Sequence, residues 1–215
     1  TINIEGATYL TVQGLEIAGN GGDGFNLNSA PSFITLEDLD IHDIDVGINF
    51  RSSMNNIVVR KNHIHNTGID GGTGEGMYVG CNDATCIVRD SLIEGNWIHD
   101  TLPGTTQGDG IEMKVGSHSN IIRDNVIYNM SYPGILAYGT GANPVNVIEG
   151  NVVWNCLEGI AALSDAIVRN NIVADSGCGL CIYTHVQVTQ RKNVTAVNNT
   201  LYNNEGVVRS DSWPR

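Results

Sequence analysis

The sequence predicts an all-β chain wound as a right-handed, single-stranded parallel β-helix of about eight coils. Three observations predict it. An Asn-x-[Ile/Val/Leu]-x-[Asn/Asp] motif recurs, a Gly-[apolar]-x-[apolar] motif follows each copy, and a third strand-like segment precedes it. Self-similarity at a spacing of roughly 20–50 residues is the mark of stacked repeat architectures.

The Asn motif begins at Asn62, Asn96, Asn125, Asn151, Asn171 and Asn199, with Leu15 and Leu39 in its place in two earlier copies. The glycine motif begins at Gly24, Gly47, Gly76, Gly110, Gly134, Gly159, Gly179 and Gly206, at intervals of 20 to 34 residues. The third strand is exemplified by Asn56-Ile-Val-Val-Arg60 and Asn120-Ile-Ile-Arg123. Three short strands per coil of variable length describe a three-sided solenoid whose loops leave at the corners. A leucine-rich repeat would show a stricter Leu lattice, and a propeller four strands per blade. Alternation along a strand turns Ile64, Ile98, Ile127, Val153, Val173 and Leu201 inward. The Asn column falls at a corner, where each amide can satisfy backbone groups of the coils above and below.

Bulk properties agree. Twenty-six glycines, 6% aromatic and 16% charged residues suit short strands and tight turns. The length fits a single β-helix domain over residues 1–215, or part of a longer chain. A formal charge of −12 would be repelled by phosphate, which excludes a nucleic-acid partner. It is compatible with solubility or with divalent cations. No run of 18 apolar residues is present to span a membrane. Thr1 opens directly in strand-like sequence, and the expectation is that what came before has been removed or that the chain is a fragment.

Cys81 and Cys86 bracket a four-residue polar loop that a disulfide would staple. Cys178-Gly-Leu-Cys181 lies in strand-like sequence, without the βαβ context of a redox motif. One or two disulfides point to a secreted, extracellular protein, and the sequons at Asn129, Asn193 and Asn198 agree.

Aligning coils on the glycines sorts the surface into columns. Two positions after the glycine, the outward residues are Asn26, Asn49, Tyr78, Glu112, Leu136, Ala161, Cys181 and Val208. Four positions after, they are Asn28, Arg51, Gly80, Lys114, Tyr138, Leu163 and Tyr183. Neighbouring coils are about 4.8 Å apart. Asn49, Arg51, Tyr78, Glu112, Lys114 and Tyr138 should therefore share one patch, with a depression at Gly80 walled by residues 67–75 and 101–109. Before the glycines stand Asp23, Glu75, Asp109, Glu158 and Glu205; Glu75 and Asp109, on neighbouring coils, could share a calcium, or cap the corner. A further column reads His42, His65, His99, Tyr128, Trp154, Ala174 and Tyr202, where stacking is favoured over metal binding.

The chain resembles the parallel β-helix repeat proteins of the pectate-lyase-like superfamily along nearly its whole length. Gly74-Glu-Gly-Met-Tyr-Val-Gly80 and Asp109-Gly-Ile-Glu-Met-Lys114 look like recurring segments of secreted bacterial members. The resemblance implies fold more than activity, because the superfamily holds lyases, hydrolases, epimerases, phage fibres and adhesins.

A polysaccharide lyase removes the proton alpha to a uronate carboxylate and must stabilise the charge that develops. A cation neutralises the carboxylate, a Lys or Arg takes the proton, and a Tyr protonates the leaving oxygen. Lys114 and Arg51 are the expected catalytic residues, with Asn49, Tyr78, Glu112, Tyr138, His118 and Arg123 as substrate contacts. A simple surface ion pair between Glu112 and Lys114 is the competing reading. The match to calcium-dependent β-helix lyases of the chondroitinase B and alginate lyase kind is partial, since a second acidic ligand beside Glu112 is not evident.

Paired carboxylates of a hydrolase, a nucleophile elbow and a phosphate loop are not apparent. The expectation is a secreted protein acting on an anionic polysaccharide by β-elimination. The alternatives are a carbohydrate-binding module with Tyr78, Tyr138 and Tyr183 as sugar platforms, and a structural solenoid of a fibre, sheath or adhesin. Uncapped repeat ends favour end-to-end self-association in the last case.

Overall fold

A computed structural model describes residues 1–19 and 21–209, apart from the side chains of residues 70 and 207–209. Its strands form three parallel sheets, the faces of a right-handed solenoid of about eight coils. The first sheet runs from Ile2–Glu5 to Gly206–Arg209, the second from Thr8–Gln13 to Val194–Val197, and the third from Glu16–Ala18 to Thr200–Tyr202.

Apolar residues fill the tube. Phe25, Ile48, Met77, Ile111, Ile135 and Ile160 stack in register in the first sheet, and Ile41, Ile64, Ile98, Ile127, Val153 and Val173 in the third; all are buried. Leu201, at the end of the third column, is only partly buried.

The repeated motif explains two corners at once. Its first Asn is an internal amide ladder: Nδ2 of Asn62, Asn96, Asn125, Asn151 and Asn171 each donates to Oδ1 of the Asn one coil on, at 2.9–3.0 Å. The same Oδ1 accepts a backbone N–H, so buried corner groups that no strand could pair are satisfied. Its last Asn or Asp takes the left-handed conformation, as at Asn66, Asp100, Asn129, Asn155 and Asp175, with φ between 49° and 60°. Among L-residues, these two tolerate that region best.

The glycines meet a different need. A Cβ at Gly76 would lie 2.5 Å from the carbonyl oxygen of Gly110 and 2.6 Å from Ile98 Cγ2. Close backbone approach between coils, not left-handed φ, excludes a side chain there. In the last coil the register departs from the glycine alignment by one residue. Cys178 pairs with Gly206 and Cys181 with Arg209, so Arg209 replaces Val208 as the partner of Cys181.

The outward column of the third sheet is a ring stack. His42, His65, His99, Tyr128 and Trp154 follow one another with centroids 4.2–5.3 Å apart and planes within 12°. Disulfides join Cys81 to Cys86 and Cys178 to Cys181, while Cys156 is a buried thiol. No helix among the described residues is long and apolar enough to cross a membrane.

Candidate functional site

The site is built on the outward face of the first sheet. Register sets Tyr78 beside Glu112, Glu112 beside Leu136, and Leu136 beside Ala161. Two residues beyond Glu112 and Leu136, the chain places Lys114 and Tyr138, still tied to the preceding coil by Lys114 N–H to Val79 O at 2.8 Å and Tyr138 N–H to Met113 O at 3.0 Å. Glu112 and Lys114 therefore project from the same side of one strand and form an ion pair.

This is no solvated surface pair. The Lys114 and Glu112 side chains are 5% and 2% exposed. The Lys114 ammonium lies 4.4 Å from the Tyr78 ring centre and 5.3 Å from that of Tyr138, held between two aromatic faces. Tyr138 donates to Glu112 Oε1 at 3.4 Å, and Tyr78 donates to Asn82 Oδ1 at 3.2 Å. Burial works to lower the Lys114 pKa, but the Glu112 charge and hydrogen bond prevail and hold it above the usual value. Burial raises both phenols, that of Tyr138 far more than that of Tyr78.

The cover over this face comes from residues 182–193, which leave the last long coil and cross the sheet. Tyr183 donates to Glu158 Oε2 at 3.0 Å, the His185 ring meets the Tyr138 ring edge-on, and Val188 packs with Leu136, Tyr138, Ala161 and Leu163. Gln187 Nε2 reaches Asn82 Oδ1 at 3.2 Å, so the strap meets the disulfide loop above Lys114. The far end is anchored where Asp165 N–H bonds Lys192 O at 2.8 Å. What remains is a cleft of about 700 Å³, with Asp109, Glu112, Lys114, Tyr138 and Glu158 on one side and Tyr183, His185 and Gln187 on the other. Half-exposed Tyr132 and Leu157 line it too.

Behind Glu112 lie Glu75 and Asp109. One oxygen from each of the three falls within 4.8 Å of the others, and all three residues are buried. Both oxygens of Asp109 and Oε2 of Glu112 lack a hydrogen-bond partner, and Glu75 has Thr73 beside it but no well-aligned bond. Burial pushes the Glu75 carboxyl up to about 7 and that of Asp109 well above its ordinary value. Such unpaired carboxylate oxygens hold either a proton or a cation. Oxygen-only donors fit calcium or magnesium, and do not fit a metal that prefers nitrogen or sulfur.

The structure thus brings together Tyr78, Glu112, Lys114, Tyr138, Glu75 and Asp109 from the sequence-derived set. Asn49 is the sheet neighbour of Tyr78, but its side chain and that of Arg51 turn to the coil below, while His118 and Arg123 stand on another face. Arg51 is 54% exposed and reaches back to Asp23 Oδ2 at 3.4 Å and Asn26 Oδ1 at 3.5 Å. Asn49 donates to the same Asp23 at 3.1 Å. His118 bridges to Arg89 on the second face, and Arg123 pairs with Glu94 there at 2.6 Å. Gly80 floors no depression, because a Cβ on it would be 2.8 Å from Ser117 Oγ and 3.2 Å from Lys114 Cβ. The alignment did not reveal Asn82, His185 or Gln187. The available signal was the outward column turning apolar at Leu136, Ala161 and Cys181, a stretch of wall that needed covering.

The fold and this cleft define a β-helix protein with a covered, charged groove on one face. The chain belongs to the family described as "Right handed beta helix region", whose model matches residues 1–146. A second model, described as "Periplasmic copper-binding protein (NosD)", matches residues 90–213. A search of curated proteins finds no match. Among solved structures, an alginate lyase from Paenibacillus sp. str. FPU-7 is similar at 22% identity, over 96% of this chain and 74% of that one, with a TM-score of 0.69. The periplasmic alginate epimerase AlgG (13%; 89% and 48%; TM-score 0.45) and the Azotobacter vinelandii mannuronan C-5 epimerase AlgE6 A-module (10%; 99% and 76%; TM-score 0.45) follow. At these identities the likeness is one of fold.

Proposed function

We propose that this chain cleaves a uronate-containing polysaccharide by β-elimination in the cleft above Lys114. One observation carries the reading: a buried ammonium, held between two tyrosines and paired with a carboxylate, at the floor of a groove large enough for sugar rings.

In this reading Lys114, as the free amine, takes the proton on the carbon alpha to the uronate carboxylate. The electron pair of that C–H bond forms the new C=C bond as the bond to the glycosidic oxygen breaks. Tyr78 gives that oxygen its proton, being the better donor of the two phenols because Tyr138 is pushed much further up. Tyr138 and Tyr183 supply flat walls for the sugar. Glu75, Asp109 and Glu112 would hold calcium, whose positive charge would offset the substrate carboxylate and compete with Lys114 for Glu112. Arg51, His118 and Arg123 have no part in this mechanism. Two disulfides support a location outside the cytosol.

The test is a panel of alginate, pectate and chondroitin, with calcium or with chelator, followed by the ultraviolet absorbance of unsaturated uronate. Alginate heads the panel because it is the substrate named for the Paenibacillus structure. Absorbance that grows with time supports the reading. None on any polymer, with or without calcium, overturns it.

A further inference from the structure

A second group of chemistry-bearing side chains stands on a different sheet from the cleft. Three successive strands of the third sheet, Asp40–Ile44, His63–Thr67 and Trp97–Thr101, carry four histidines outward. Register aligns His42, His65 and His99 in one column, and Asp40, His63 and Trp97 in the next. Their imidazoles are between 11% and 30% exposed, sheltered yet within reach of solvent.

Stacking accounts for the rings but not for the carboxylates at their edges. His42 Nδ1 lies 2.8 Å from Asp43 Oδ2, and His99 Nδ1 lies 2.8 Å from Asp100 Oδ2. A carboxylate only accepts, so each ring directs an N–H there and, when neutral, turns its Nε2 lone pair toward the neighbouring column. An outer carboxylate that orients an imidazole is the usual arrangement behind a metal-bound histidine.

The inner atoms are short of protons. His42 Nε2 meets Glu16 Oε1, another acceptor, at 3.3 Å. His63 faces His99 Nε2 at 2.8 Å with one nitrogen and Asp40 Oδ1 at 3.2 Å with the other. A neutral imidazole has one N–H and cannot serve both. Asp40 Oδ1 is also 3.3 Å from His65 Nε2, yet it is a buried oxygen without a well-aligned hydrogen bond. With the imidazoles neutral, lone pairs converge here in excess of the protons available to them.

We propose that Asp40, His42 and His65, whose ligand atoms lie within 4.8 Å of one another, bind a divalent transition-metal ion, with the His63–His99 pair alongside. Two imidazoles and a carboxylate suit zinc or copper(II) and disfavour calcium. The span matched by the copper-binding description, residues 90–213, contains only His99 of these residues, so donor geometry carries the inference. It is independent of the polysaccharide reading.

The experiment titrates the chelator-stripped full chain with copper(II) and zinc at neutral pH. Binding is followed by calorimetry, and the copper form by electron paramagnetic resonance. The expected result is one ion per chain, nitrogen couplings from at least two imidazoles, and no competition from calcium. Asp43→Asn, which changes the outer partner of His42 and of Asn66 but none of the ligand atoms, should weaken binding by ~10–100-fold. His42→Gln/His65→Gln should abolish tight binding while circular dichroism shows the sheets intact. A wild-type spectrum without coordinated nitrogen, or a double variant that binds like wild type, overturns the proposal. The wild-type spectrum decides the matter even if the double variant misfolds.

Discussion

Lys114 concentrates the chemistry of the cleft, and its surroundings set what each substitution should do. Lys114→Ala removes the amine and leaves Glu112 buried without its cation. Loss of a positioned acid or base typically costs ~10²–10⁴-fold, so product absorbance on the best polymer should fall by that order. Tyr78→Phe should lower kcat comparably, whereas Tyr138→Phe should act mainly on KM. If Lys114→Ala cleaves as fast as wild type, the assignment of the base is wrong. Glu75 makes a prediction about pH. Its folded carboxyl is raised from 4.5 to about 7, so the folded protein binds this proton more tightly than the unfolded chain does. That contribution is whole below about pH 4.5 and is lost as pH rises through 7; the shift is worth ~3 kcal/mol at most. Thermal unfolding in chelator should therefore move to lower temperature between pH 5 and 8. Calcium should restore it at pH 8 and do little at pH 5. A midpoint indifferent to both would exclude a cation at Glu75 and Asp109.

At the scale of the element, the amide ladder and the glycine column are the parts that a single atom can break. Asn125→Ala would leave the buried Asn96 N–H, bonded at 3.0 Å, without its acceptor and strip Ile93 O of a donor at 3.1 Å. An orphaned group costs about 1–3 kcal/mol, so the loss in urea unfolding should exceed that of Asn199→Ala at the half-buried end of the ladder. Gly76→Ala should be worse tolerated than Gly104→Ala even though Gly76 has an ordinary φ, because only at Gly76 does a backbone oxygen occupy the Cβ position. Equal midpoints for the two would refute the close-approach account. These columns were legible in the sequence because every coil repeats the same steric problem at the same place. The cleft was legible only in part. Side-chain alternation brought Tyr78, Glu112, Lys114 and Tyr138 together, but not the direction of Arg51, whose long side chain follows the charge of Asp23 on the coil below. His118 and Arg123 were misplaced because the chain turns a corner after Lys114 and puts them on another face. Residues 182–193 carry no repeat at all, so nothing in the alignment could show that they fold back over the sheet.

At the scale of the whole molecule, charge and shape set the terms of association. With a formal charge of −12, the chain repels a polyuronate at long range, and Lys114 is the one Lys or Arg among the described residues lining the cleft. Moderate salt should therefore lower KM for an anionic polymer, the reverse of what a basic enzyme shows, because screening shortens the repulsion to a Debye length of about 8 Å. A KM that rises steeply from low to physiological salt would mean attraction dominates. The shape has its own consequence. Successive asparagines of the ladder are 34, 29, 26, 20 and 28 residues apart in the chain, although each step spans a single hydrogen bond. The 20-residue turn is a bare hoop, and whatever the others carry beyond it hangs outside the barrel as freight. Those overhangs supply the disulfide loop and the strap that roof the cleft, while the hoops stay interchangeable. A protein wound in this way can alter what it grips by lengthening one overhang, and never has to rebuild the spool.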